Sequence, residues 1–166
     1  KQNEPDYGDL LGGYISDAPM LTGNVILKNA KGSITVSASG YTNLDLDEFE
    51  GTVTTPSEPS STQPRLYAKN CDIIFAGGCD YAQLRLRRCS TAGNGVKVVS
   101  NALVDYCEMG SALMCHGDLT VKNSTVGGNI THTSAGTLNL VFTNNVLNAL
   151  LNIGGTTPGT LVNAII

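Results

Sequence analysis

The sequence predicts an all-β fold, a single-stranded right-handed parallel β-helix (β-solenoid) of about seven coils. Three observations predict it. One pattern of residue classes (polar, apolar, variable, apolar, variable, polar, small) recurs in seven segments, the step between equivalent positions stays near 18 to 20 residues, and the apolar alternation within each segment has period two.

The segments are NVILKNAKG from Asn24, NLDLDEFEG from Asn43, RLYAKNCDI from Arg65, QLRLRRCST from Gln83, NALVDYCEM from Asn101, DLTVKNSTV from Asp118 and NLVFTNNVL from Asn139. Their anchor position falls at Ala30, Phe49, Cys71, Cys89, Cys107, Ser124 and Asn145, in steps of 19, 22, 18, 18, 17 and 21. Period two places Leu44 with Leu46, Leu84 with Leu86, and Leu119 with Val121 on one strand face. A second apolar pair follows in most repeats, at Ile34 and Val36, Val96 and Val98, Leu113 and Cys115, Ile130 and His132, and Leu151 and Ile153. Gly, Asn, Ser and Thr between the pairs fit the bends of a coil. An antiparallel sandwich also yields short strands at such spacing. It does not require one residue class to recur at one offset, as Cys71, Cys89 and Cys107 do.

These segments, RLYAKNCDI and LTVKNSTVGGNI above all, resemble the repeats of the pectin-lyase-like superfamily and of phage tailspikes, over roughly residues 24 to 153. The resemblance implies the β-helix architecture and points only weakly to an activity. The repeats divide the chain into an N-terminal cap segment, 1–23, and a parallel β-helix, 24–166, with a loop insertion at 54–64 whose prolines bar a strand interior.

Composition narrows the function classes. Of the 166 residues 41% are hydrophobic but only 5% aromatic, with no Trp and 19 Gly, so small and β-branched side chains must fill the core. The formal charge of −4 disfavours nucleic acid, and no apolar run is long enough to span a bilayer. A start at Lys1 rather than Met is read as a processed mature protein or an excised fragment. Five cysteines without a CxxC pair make neither a zinc site nor a disulfide framework. Cys71, Cys89 and Cys107 are expected buried, stacked and reduced.

Outward side chains of the first strand form a candidate binding face: Lys69, Arg87, Asp105 and Lys122 in one column with Lys28 and Asp47, and Asp45 and Arg85 one pleat away. Such a column is either a groove for an acidic saccharide or a solvated ladder of surface ion pairs. Arg85, Arg87 and Arg88 beside Asp45, Asp47, Glu48 and Glu50 are the place to look for lyase chemistry, which needs a base and a cation. DLDEFEG lacks calcium-loop spacing, so no metal or other cofactor is expected. His132 is expected as a hydrogen-bonded structural histidine. Asn29, Asn70, Asn123 and Asn144 share one offset and suggest an asparagine ladder. Sequons start at Asn123 and Asn129.

No convincing acid/base pair emerges. The expected function is therefore a non-catalytic structural or adhesive solenoid module of an extracellular, cell or virion surface. The alternative is a small polysaccharide lyase or hydrolase of the superfamily it resembles, or a fragment of one. The expected partner is a second copy, with surface polysaccharide as a further candidate. The uncharged C-terminal stretch supplies the assembly edge through Leu161, Val162, Ala164, Ile165 and Ile166. It would join a homo-oligomer or an end-to-end stack.

Overall fold

Every strand pairing in the computed structural model is parallel, and the paired strands stack into a β-solenoid of about six turns. The structure describes residues 14–15, 20–36, 42–55, 63–133, 140–148 and 150–153. One side of the stack is a run of seven strands: Gly23–Lys28, Thr42–Asp47, Arg65–Lys69, Asp80–Arg87, Val96–Asp105, Leu119–Lys122 and Leu140–Thr143. They define coils one to seven. After a two-residue corner each coil enters a second sheet, for example through Lys31–Val36, Glu50–Thr55 and Asp72–Gly77. No helix occurs among the described residues.

The period-two pattern becomes two inward columns. Leu44, Leu66, Leu84, Ala102 and Leu119 stack in register, and beside them run Leu46, Ala68, Leu86, Val104 and Val121, all buried. Burying such an aliphatic side chain stabilises by about 1.5 to 3 kcal/mol, so this double column carries much of the core. In the second sheet, Gly51 sits directly on Gly32. A Cβ at Gly51 would lie 1.7 Å from the Gly32 carbonyl oxygen, so no larger residue fits there.

Each expected step between anchors is the register observed. Flanking pairs such as Lys69 with Arg87 and Asp72 with Ser90, or Arg87 with Asp105 and Ser90 with Glu108, hold the anchors Cys71, Cys89 and Cys107 one above another. The second apolar pair, by contrast, divides between faces. Ile34 stacks on Val53 and Phe75 in the second sheet, whereas Val96, Leu113, Ile130 and Leu151 stack in the first. An apolar pair marks an inward strand but not which side of the coil it builds, because the number of residues between bends varies.

Tyr14–Ile15 and Met20–Leu21, within the expected cap segment, both pair with Lys31–Val36 as further parallel strands. Ile15 packs against the core and Tyr14 is exposed. The expected loop insertion opens inside a strand, at Thr54 and Thr55, and 56–62 lie outside the described residues. So does the whole expected assembly edge, 161–166.

Candidate functional site

At the corner between the sheets the chain turns through one residue of positive φ in every coil: Asn29, Glu48, Asn70, Arg88, Tyr106, Asn123 and Asn144, all between 50° and 57°. Asparagine tolerates this left-handed conformation better than most residues, which explains why it recurs at this offset. The turn inverts the direction of hydrogen bonding. The N–H of Asn70 donates forward to the Arg87 carbonyl, whereas the N–H of Asp72 donates back to the Phe49 carbonyl.

Between these two residues the N–H of the anchor points inward, and a side chain of the next coil accepts it. Phe49 N–H donates to Cys71 Sγ at 3.5 Å and Cys89 N–H to Cys107 Sγ at 3.5 Å. Further along, Cys107 N–H donates to Ser124 Oγ and Ser124 N–H to Asn145 Oδ1, each at 3.0 Å. In return, the thiols of Cys71, Cys89 and Cys107 and the Ser124 hydroxyl each donate to the carbonyl two residues earlier. Cysteine, serine and asparagine occur at the anchor because a buried N–H left unmet is costly. All five cysteines are buried and free, as expected for Cys71, Cys89 and Cys107.

The ladder also sets the acidity of its thiols. Cys89 is pushed up to about 11, first by its hydrogen bond with Cys107 and then by burial, while the same hydrogen bond draws Cys107 down. Cys71 is raised by its hydrogen bond with Cys89 and by burial. No thiol here is poised as an accessible nucleophile.

Outside the corner, the structure aligns Lys28, Asp47, Lys69, Arg87, Asp105 and Lys122 as one column of strand partners. Asp47 and Lys69 meet at 3.5 Å, and Lys31 pairs with Glu50 on the other side of the corner. Asn70 donates to Asp47 Oδ1 at 3.2 Å and Asn123 to Asp105 Oδ1 at 3.1 Å. The expected asparagine ladder is thus mixed, with one rung joining two asparagines, Asn144 to Asn123 at 3.0 Å. Aspartates supply the other acceptors because Glu48, Arg88 and Tyr106 interrupt the asparagine column.

Asp45 and Arg85 do not come together. Tyr67 of coil three stands between them, just as Lys69 separates Asp47 from Arg87. The carboxylates and arginines expected side by side for lyase chemistry are therefore two coils apart, roughly 10 Å. Arg85 instead lies over the Tyr67 ring, 5.2 Å from its centroid, and Tyr67 donates to Gln83 at 3.0 Å. Two shallow grooves, of about 430 and 490 Å³, open on the other side of the corner and share Lys31, Glu50, Asp72 and Ser90 in their walls. Sequence gave no sign of them, since they depend on how neighbouring coils pack.

His132 is buried with Nε2 2.9 Å from the Gly117 carbonyl, a structural histidine as expected. His116 Nδ1 lies 3.1 Å from Thr133 Oγ1. Tyr81 and Thr55, which the sequence did not single out, share a buried hydroxyl hydrogen bond of 2.9 Å. Asn129 is exposed, with its Oδ1 accepting the Leu150 N–H. Among the described residues no group of three or more His, Cys, Asp or Glu is placed to hold a metal ion, and no helix is long and apolar enough to cross a membrane.

Comparison with family models, with curated proteins and with solved structures returns no match. The class of protein is defined by the fold itself, a parallel β-solenoid.

Proposed function

We propose that this chain is a non-catalytic structural or adhesive solenoid module of an extracellular or virion surface, one that associates with copies of itself. One observation carries the proposal: polar side chains on both sides of the corner bond along the axis to the next coil. Asp47 is held by Lys69 and Asn70, Asp105 by Asn123, Glu50 by Lys31, and the face of Tyr67 by Arg85. Groups used this way stiffen a stack. Burial of all five thiols also keeps them from the oxidants of such a location.

The competing assignment, a small lyase or hydrolase of the pectin-lyase-like superfamily, needs a base and a cation around one sugar ring. Incubating the protein with acidic polysaccharides and following ultraviolet absorbance decides between them. The expected trace is flat. A rise from unsaturated uronide that disappears in Arg85→Ala or Arg87→Ala would overturn the proposal.

A further inference from the structure

We propose that the corner ridge joins two copies of this chain side by side and antiparallel, about a two-fold axis through coil three. The proposal deepens the self-association put forward above by specifying which surface meets which.

The ridge consists of the positive-φ residue of each coil and the outward side chains on either side of it. Its charge is banded. Coil one presents Lys28 and Lys31, coil two Asp47, Glu48 and Glu50, and coil three the opposed pair Lys69 and Asp72. Coil four then presents Arg87 and Arg88, and coil five Asp105 and Glu108. The order along the axis is positive, negative, neutral, positive, negative. Of the eleven side chains, nine are exposed and the aspartates of coils two and five are half-buried. Glu48, Arg87, Arg88 and Glu108 make no ion pair among the described residues.

A two-fold axis perpendicular to the stack at coil three brings coil two of one copy against coil four of the other, and coil one against coil five. Each positive band then faces a negative one, twice over, as an isologous contact requires. Placing two copies parallel and in register sets every band against its like. Bands lie about 4.8 Å apart and the screening length is about 10 Å at 0.1 M salt, so the pattern is felt at this resolution.

On the axis itself coil three sets Lys69 and Asp72 each near its own mate, and one apolar side chain lies beside them. Coil three, the neutral rung, carries Ile74 on the outward face of the second sheet, 51% exposed, in a column with Ser33, Thr52 and Ala92. The two-fold axis also brings Ile74 near its own mate, at one edge of the charged bands. Five rungs span only about 19 Å, so the contact is small, weak and salt-sensitive.

Solution mass by light scattering, at low and at high salt, tests the pairing. Wild-type protein is expected as a dimer at low salt that falls to half that mass at high salt. Glu48→Arg with Glu50→Arg makes coil two repel coil four, and Arg87→Glu with Arg88→Glu does so with opposite signs. Each variant alone is expected at half the wild-type mass. Mixed in equal amounts they restore complementarity, and the full dimer mass returns. A wild type that stays monomeric at low salt overturns the proposal, as does a mixture that stays monomeric. Association that persists in both variants also overturns it. That last outcome leaves the structural role standing and points to stacking end to end.

Discussion

Two ladders run along this solenoid within a few ångströms of each other, and they obey the same register in different media. The inner one passes through Cys71, Cys89, Cys107, Ser124 and Asn145, and the outer one through Asp47, Lys69, Arg87, Asp105 and Lys122. They touch through a hydrogen bond, since the Cys71 thiol donates to the carbonyl of Lys69 at 3.0 Å. Inside, a polar group without its partner has no water to fall back on, so from Cys71 to Asn145 each position offers an acceptor and residue choice is narrow. Outside, water and salt take the place of any missing partner, so the column alternates freely between signs. Equal geometry therefore yields unequal energy, and medium rather than distance decides which ladder holds the fold.

The largest expected effect lies in the apolar columns that both ladders flank. Leu86→Asp puts an unpaired carboxylate between Ala68 and Val104, in a strand with coils packed above and below. The cooperative thermal transition followed by circular dichroism should vanish. Next in size is Ser124→Ala, which strands the buried N–H of Cys107 and should cost about 1 to 3 kcal/mol in urea unfolding. Ser124→Cys, which restores an acceptor of the kind used one coil earlier, should recover most of that loss. Equal losses from the two replacements would show that the inner ladder stabilises by packing alone.

How far these ladders were legible in sequence follows from the same contrast. The anchor steps could be read because the interior accepts few residue types, so Cys71, Cys89 and Cys107 repeat visibly at 18 residues. What the thiols do there could not. Their acceptor role comes from the reversal of hydrogen-bond direction at the corner, which in turn depends on a positive φ carried by Glu48, Arg88 and Tyr106 as well as by asparagines. No shared side-chain property marks that column. The outer column was found by spacing, and the same spacing already set the repeat RLYAKNCDI between Asp45 and Arg85, so the expected grouping of those carboxylates and arginines ran against the repeat itself.

Acidity gives a third, smaller separation of the interior from the surface. Burial, together with Asp80, pushes the Cys79 thiol up to about 11 from an ordinary value of 9.0. The folded state therefore binds more protons than the unfolded one between these values, and stability should be complete below about pH 9 and decline as pH rises toward about 11. Cys79→Ser, which keeps a donor for the Ala76 carbonyl but does not titrate in this range, should flatten that decline in melting temperature. Cys89 and Cys107 shift in opposite directions through their shared hydrogen bond, so Cys79 gives the cleaner reading. An unchanged slope would place the alkaline sensitivity elsewhere, for instance at buried Tyr81, whose hydroxyl burial also raises.

The smallest effect is expected from the outer ladder, and its smallness is the point of the comparison. Lys69 and Asp47 approach to 3.5 Å, yet both remain in contact with solvent. Water solvates each charge when the other is removed, and side-chain ordering consumes part of the Coulomb gain. Asn70 also holds Asp47, so deleting the lysine leaves the carboxylate with one partner. Lys69→Ala should therefore change the unfolding free energy by less than about 0.5 kcal/mol, and by less still at high salt. Lys69→Glu places like charges opposite at Asp47 but an opposite charge beside Arg87, its strand partner in the next coil, so its cost should stay small as well. Urea titrations of both variants at two salt concentrations provide the measurement. A loss at Lys69→Ala as large as that at Ser124→Ala, and insensitive to salt, would mean that the outer ladder is shielded from water and that the two columns do not differ as argued.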